Sequence, residues 1–226
     1  MINQQVSNFS IMPSALAYLF GDMLEDVFAA KSRLSLREKL PCREVKIKRK
    51  DLATAVLVSA IVYLAKRNQL SLEVHTKGRI IKSKFVLVTP LGQFSNSSDD
   101  SFEGQILASI SDNPKHNDVR SIVWRLWSAD SASPWSDVIQ RCQKYLLGQG
   151  YFSEQERHGI AKIMGKKLVP QCEKILPLQA EADALRSVLA DFRAANRELY
   201  ERLWKDVGKG IASRQEQEDI DMDDDF

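Results

Sequence analysis

The strongest constraint on this chain is the run at 52–64 (LATAVLVSAIVYL), which is nearly free of polar side chains and is followed at once by Ala65, Lys66, Arg67 and Asn68. A segment apolar on every face implies a helix buried on every face. Cations and an Asn suit the end of that helix, where carbonyls lack partners and the dipole is negative. Residues 70–74 then alternate apolar and polar, 76–79 (TKGR) read as a turn, and 80–88 return as a second strand. A buried helix feeding a β-hairpin is the centre of a winged-helix unit.

The flanking segments extend this picture. Residues 13–30 carry Leu16, Leu19, Phe20, Met23, Leu24, Val27 and Phe28 at helical spacing, with Pro13 in the first turn and Asp22, Glu25 and Asp26 opposite. That acidic polar face argues for a core-packing helix over a membrane anchor, which would favour Lys and Arg. At 35–38, Ser-Leu-Arg-Glu matches a capping box and predicts a short helix. Val45, Lys46, Ile47 and Lys48 alternate like a strand with one wet face.

Residues 92–100 have linker chemistry, and three helices follow at 101–111, 117–127 and 135–148. Tyr151 and Phe152 begin a hairpin whose return is placed at 159–164. These make a second winged-helix-like unit. From 178 to 205 the pattern reads as one long helix, with Ala182, Leu185, Leu189, Phe192, Asn196, Leu199 and Leu203 at alternating a and d positions. The expected fold is mainly α with short β-hairpins. The first winged-helix-like unit and the N-terminal helix occupy 1–92, the second unit 101–170, a C-terminal helix 171–210 and a disordered acidic tail 211–226.

Composition narrows the function classes. No apolar run reaches the roughly 18–20 residues that span a bilayer, and the polar first ten residues lack a signal-peptide pattern. Cys42, Cys142 and Cys172 are few, odd in number and widely spaced, which fits reduced thiols in a cytoplasmic protein. His75, His116 and His158 show no metal-ligand spacing with each other or with the cysteines. No phosphate-binding glycine loop, nucleophile elbow or carboxylate pair stands out, so the expectation is a protein without catalytic residues, metal or cofactor. The net charge of +2 hides an asymmetry: 216–226 (EQEDIDMDDDF) holds seven acids and no bases, leaving a body with 32 bases against 23 acids, near +9. A basic body with an acidic tail points to an anionic partner.

Two short segments carry a family resemblance. Residues 63–72 (YLAKRNQLSL) resemble the helix-to-strand junction of the Golgi phosphoprotein 3 family, and 143–152 (QKYLLGQGYF) are similar to a helix end in that family. Residues 153–169 follow where its exposed hairpin falls, so the resemblance covers roughly 35–170. It implies a mostly helical, non-catalytic protein that sits on membranes through a phosphoinositide head group and an apolar hairpin. Arg141 matches one arginine of the family's phosphate pocket. The other pocket arginines fall on Val138 and Leu57, and the pocket tryptophan has no counterpart near Asp51. The hairpin tip is polar here: Glu154, Gln155, Glu156, Arg157 and His158. Residues 221–226 (DMDDDF) also resemble the acidic, aromatic-ended tails of bacterial single-stranded-DNA-binding proteins.

The first functional expectation is a cytoplasmic interaction protein, peripheral at a membrane, that meets anionic lipid head groups through a basic ledge of Lys46, Lys48, Arg49 and Lys50 with Arg141. The second is a winged-helix nucleic-acid-binding protein. There Gln140, Arg141, Gln143 and Lys144 would read a groove while Lys77, Arg79, Lys82 and Lys84 touch phosphate. The third is a scaffold subunit or homodimer that binds a protein partner through Leu185, Leu189, Phe192, Leu199 and Leu203.

Overall fold

The apolar run becomes the centre of the molecule. In a computed structural model, which describes residues 9–29, 31–33, 35–78, 82–92, 100–127, 130–156 and 166–215, it forms α2 (Arg49–Lys66), where every residue from 51 to 62 is buried. Around it pack α1 (Pro13–Leu19), α3 (Phe102–Ala108), α5 (Pro134–Gly148), α7 (Gln179–Ala195) and α8 (Arg197–Ala212). The chain is completed by α4 (Val119–Arg125) and the one-turn α6 (Cys172–Ile175). One continuous apolar cluster runs from Ile11 to Ile211 and joins residues of both expected winged-helix units.

Three separate two-stranded antiparallel sheets complete the described structure. These are β1 (Arg37–Lys39) with β2 (Lys46–Lys48), β3 (Leu70–Lys77) with β4 (Ser83–Pro90), and β5 (Phe152–Gln155) with β6 (Lys167–Pro170). The mainly helical fold with short hairpins is therefore as expected, whereas among the described residues no hairpin gains the additional strand that would close a winged-helix sheet.

Three local expectations are corrected. The amphipathic segment at 13–30 is helical only to Leu19; Phe20 leaves the helix (φ −126°, ψ 31°) and a single 3₁₀ turn, Gly21–Leu24, follows. Gly21 lies so close to α2 that an added Cβ would sit 2.5 Å from Leu52 Cδ1. The capping-box match at 35–38 does not start a helix, because Arg37–Lys39 is the strand β1 and Glu38 turns to pair with Arg49. The predicted hairpin return at 159–164 falls in 157–165, outside the described residues; the strand that pairs with β5 is Lys167–Pro170.

The single long helix at 178–205 is two helices. Asn196 breaks it with an extended backbone (φ −150°, ψ 83°), and its Oδ1 accepts the Leu199 N–H at 3.0 Å to cap α8. The apolar stripe is packed inside the chain: Leu185 and Leu189 on α7 and Leu199 and Leu203 on α8 are all buried, and Phe192 is half-buried beside Tyr200. The residues expected to meet a partner are core residues, because the break at Asn196 lets α8 pack with α7, α4 and α2.

Two buried carboxylates join distant segments. Glu103 on α3 accepts the Ser14 N–H at 2.9 Å and the Ser14 hydroxyl at 2.7 Å, satisfying donors in the first turn of α1. Asp206 on α8, fully buried, accepts the Val86 N–H of β4 at 2.9 Å, Arg120 Nε of α4 at 2.8 Å and Arg202 Nε at 3.0 Å. Near it, Gly210 packs so tightly against α4 that a Cβ would lie 2.8 Å from Val123 Cβ.

Candidate anion-binding surface

The ledge expected from 46–50 divides at residue 48. Lys48 is the N-cap of α2, so Lys46 and Lys48 belong to a strand, while Arg49 and Lys50 begin a helix and turn toward α5. Arg49 Nε donates to Glu38 Oε2 at 3.0 Å and its NH1 group donates to Ser136 Oγ at 2.9 Å. Lys50 Nζ lies 5.5 Å from the Trp135 ring centroid. Arg141 does not join them: it donates to Gln105 Oε1 at 2.7 Å and its guanidinium lies over Trp127 at 5.2 Å. Burial pulls the Arg141 pKa down, against the opposing pull of Asp137. Arg49 and Arg141 are thus engaged within the fold.

The hairpin makes a different cationic face. Its register pairs Arg37 with Lys48, Glu38 with Ile47, and Lys39 with Lys46. Because side chains alternate across a strand and directly paired residues share a side, Arg37, Lys39, Lys46 and Lys48 project from one pleat face. The opposite face carries Ile47, which is buried, and Glu38, which holds Arg49. Arg37, Lys39 and Lys46 are exposed. Lys39 contacts Glu44 at 3.1 Å, but both side chains lie in water, where such a pair contributes little. Lys48 is half-buried, and its ammonium donates to the carbonyls of Ser32 and Arg33. Leu36, 72% exposed, and Val45, 40% exposed, continue the two strands, and by the same alternation they belong to the side of Glu38 and Ile47.

In the sequence Arg37 and Lys39 are simply two of the seven bases within 35–50. The capping-box match at 35–38 masked their strand alternation, and only the register shows that they stand across from Lys46 and Lys48.

The hairpin is fastened at its turn. Cys42 and Cys172 form a disulfide across 130 residues of sequence, with Cα atoms 5.4 Å apart. This corrects the expectation of three reduced thiols; among the described cysteines only Cys142 is free, and burial pushes its pKa well up. Next to the disulfide, Arg43 pairs with Asp22 at 2.7 Å and lies over Phe20. Cys42 itself sits at φ 57°, a left-handed conformation that costs a non-glycine residue about 1–3 kcal/mol. The covalent tie, the ion pair and the buried Ile47 and Leu40 give the cationic face a rigid base.

The residues expected to touch nucleic acid are dispersed. Lys77 and Lys84 occupy opposite faces of β3–β4, since Lys84 pairs with Thr76 while Lys77 pairs with Ser83. Lys82 is exposed, Lys84 pairs with Glu198 on α8, and Arg79 lies outside the described residues. On α5, Gln140 and Lys144 are exposed, but Gln143 donates to Tyr18 at 2.8 Å and Arg141 faces Gln105. The tryptophans near the loop before α5 are also engaged: Trp127 is buried, Trp135 partly buried, and Trp124 carries the Arg214 guanidinium at 3.7 Å from its ring centroid.

Among the described residues no group of His, Cys, Asp and Glu is placed to hold a metal ion, and no helix is long and apolar enough to cross a membrane. Comparison with known proteins finds no matching family model, no matching curated protein and no matching solved structure.

Proposed function

We propose that this protein is a non-enzymatic, peripheral membrane-surface protein. It meets anionic lipid head groups with the β1–β2 pleat face. The observation that carries this reading is the register that gathers Arg37, Lys39, Lys46 and Lys48 on one pleat face. Cations gathered on one exposed face suit a head-group surface, where the charges meet phosphate. Each cation near an anionic surface contributes about 1 kcal/mol, so the three exposed ones, Arg37, Lys39 and Lys46, predict weak, reversible, salt-sensitive attachment. The resemblance to the Golgi phosphoprotein 3 family supports the same class of surface. The contact, however, is placed on the hairpin and away from Arg141, whose guanidinium is occupied by Gln105 and Trp127.

Groove reading of nucleic acid by α5 is the weaker alternative, because Arg141 and Gln143 are held by neighbours within the fold. Co-sedimentation of the full chain with phosphatidylcholine vesicles, with and without phosphatidylserine, tests the proposal. Binding only to the anionic vesicles, lost in Lys39→Glu/Lys46→Glu, is expected. Equal binding to both vesicle types, or anionic binding untouched by the charge reversals, would overturn it. A duplex DNA titration on the same protein separates the alternative: tight binding there, unaffected by the hairpin variants, would favour nucleic acid.

A further inference from the structure

A second cationic surface lies on α8, and it does not depend on the membrane reading. The pattern along this helix sets Arg202, Lys205 and Lys209 one turn apart on one side, beside Arg120 of α4 and Lys84 of β4. An open groove of about 500 Å³ runs along it, lined by Lys84, Arg197, Glu198, Glu201, Arg202 and Lys205. The acids on this side are already engaged. Glu198 holds Lys84, Glu201 holds Arg197, and the buried Asp206 holds both Arg120 and Arg202. Lys205 and Lys209 are exposed and have no anionic partner among the described residues. The crowding of like charge is felt at Lys209, whose pKa is pulled down chiefly by Arg120, then by partial burial, Lys205 and Arg202.

The chain that leaves this helix is complementary to it. Beyond Gln215 the sequence continues through 216–226 with seven acids and no base. Eleven residues reach about 36–40 Å when extended, whereas Lys205 lies only about 15 Å back along the helix axis from the level of Gln215. The tail can therefore turn back along the whole cationic side. The alternative of leaving it at the C-terminal end of α8 is electrostatically poor, because the helix dipole there is negative.

We propose that 216–226 is the occupant of this surface: the acidic tail folds back and lies along Lys209 and Lys205 in the same molecule, masking a site that recognises acidic peptide. The carboxylates supply the charge that Glu198, Glu201 and Asp206 do not, and the contact loosens as salt rises. An acidic segment of another protein would have to displace the tail, so the tail acts as a built-in competitor.

Zero-length carbodiimide cross-linking of the full chain, with peptide mapping of the monomer fraction, tests this directly. The expected result joins carboxylates of 219–225 to Lys205 and Lys209 several-fold more often than to Lys66 and Lys144, which lie on α2 and α5. The joins should fade at about 1 M salt, where the screening length falls to about 3 Å. Tail cross-links spread evenly over the lysines, their absence, or their confinement to a dimer fraction would overturn the proposal. A second measurement uses the full chain carrying Asp221→Asn/Asp223→Asn/Asp224→Asn/Asp225→Asn, whose changes lie outside the described residues. Acetylation of Lys205 and Lys209 should quicken several-fold in that variant while Lys66 and Lys144 keep their rates. Unchanged rates at all four lysines would refute tail docking.

Discussion

Replacing Asp206 by Ala removes a carboxylate that ties β4, α4 and α8 together, and the cost follows from what remains. The carboxylate is fully buried and accepts from the Val86 N–H at 2.9 Å, Arg120 Nε at 2.8 Å and Arg202 Nε at 3.0 Å. In its absence the Val86 donor is left in an apolar setting, which costs about 1–3 kcal/mol. The Arg120 and Arg202 side chains, 33% and 15% exposed, lose their counter-charge, and breaking a buried pair from one side costs about 3–5 kcal/mol. These effects overlap, so the whole is expected near 3–5 kcal/mol, roughly the span found for other buried pairs.

Arg120 retains a route to water through its exposed third, which places Asp206→Ala toward the lower end. Asp206→Asn keeps an acceptor for Val86 and loses only the charge, so its cost should be about half as large. Urea unfolding followed by circular dichroism measures both, and at about 2–4 °C per kcal/mol the Ala variant should melt about 6–20 °C lower. The pairing with Arg120 is isolated by the cycle Arg120→Ala, Asp206→Ala and the double variant, with an expected coupling of about 0.5–3 kcal/mol. An Ala variant within about 0.5 kcal/mol of wild type, the range of an ordinary surface substitution, would refute the role assigned to Asp206.

Other consequences are equally open to measurement. Opening the Cys42–Cys172 bridge by Cys42→Ser/Cys172→Ser frees a loop of 130 residues, for which chain entropy sets an upper loss of about 5 kcal/mol; matched denaturation with and without reductant should shift wild type but not the variant. Gly210→Ala should destabilise by about 1–3 kcal/mol through overpacking against Val123 and the Arg120 carbonyl, outweighing the better helix propensity of Ala; a stabilised variant in thermal melts would show that α4 yields. Asp26 is held below the usual carboxylate range first by its hydrogen bonds from Arg186, opposed by partial desolvation. A lowered folded-state pKa means that its stabilisation is present above about pH 4, the unfolded value, and disappears as pH falls through the folded value. The gap between wild type and Asp26→Asn in acid titrations of stability should therefore close below about pH 4, and a gap that widened would contradict the pairing.

Much of the architecture is local in origin and so was legible. The run 52–64 has no polar face to present to water, and α2 accordingly lies at the centre. The Ser133-Pro134 start and the Gly148–Gly150 end of α5 are backbone preferences that act within one turn. Asp51 illustrates the limit, since a charged residue in the first helical turn reads as solvent-facing but is 6% exposed and accepts the Ser32 N–H at 2.8 Å. The heptad-like spacing of 178–205 was misleading for a related reason: apolar periodicity records that one face is buried, not which neighbour buries it. Asn196, one of the heptad-like positions, serves as an N-cap once the chain turns.

The candidate site was less legible still. That 35–50 is basic belongs to the sequence alone, as do the buried helix, the hairpin after it, and the separation of a basic body from an acidic run. Which cations share a face belongs to the tertiary structure, because it depends on pairing Arg37 with Lys48 and Lys39 with Lys46 across a turn. The same holds for the disulfide, since nothing near Cys42 or Cys172 encodes a partner 130 residues away. Local propensity is set by a residue and its nearest neighbours, whereas a surface is assembled from residues brought together by packing that the whole chain decides at once.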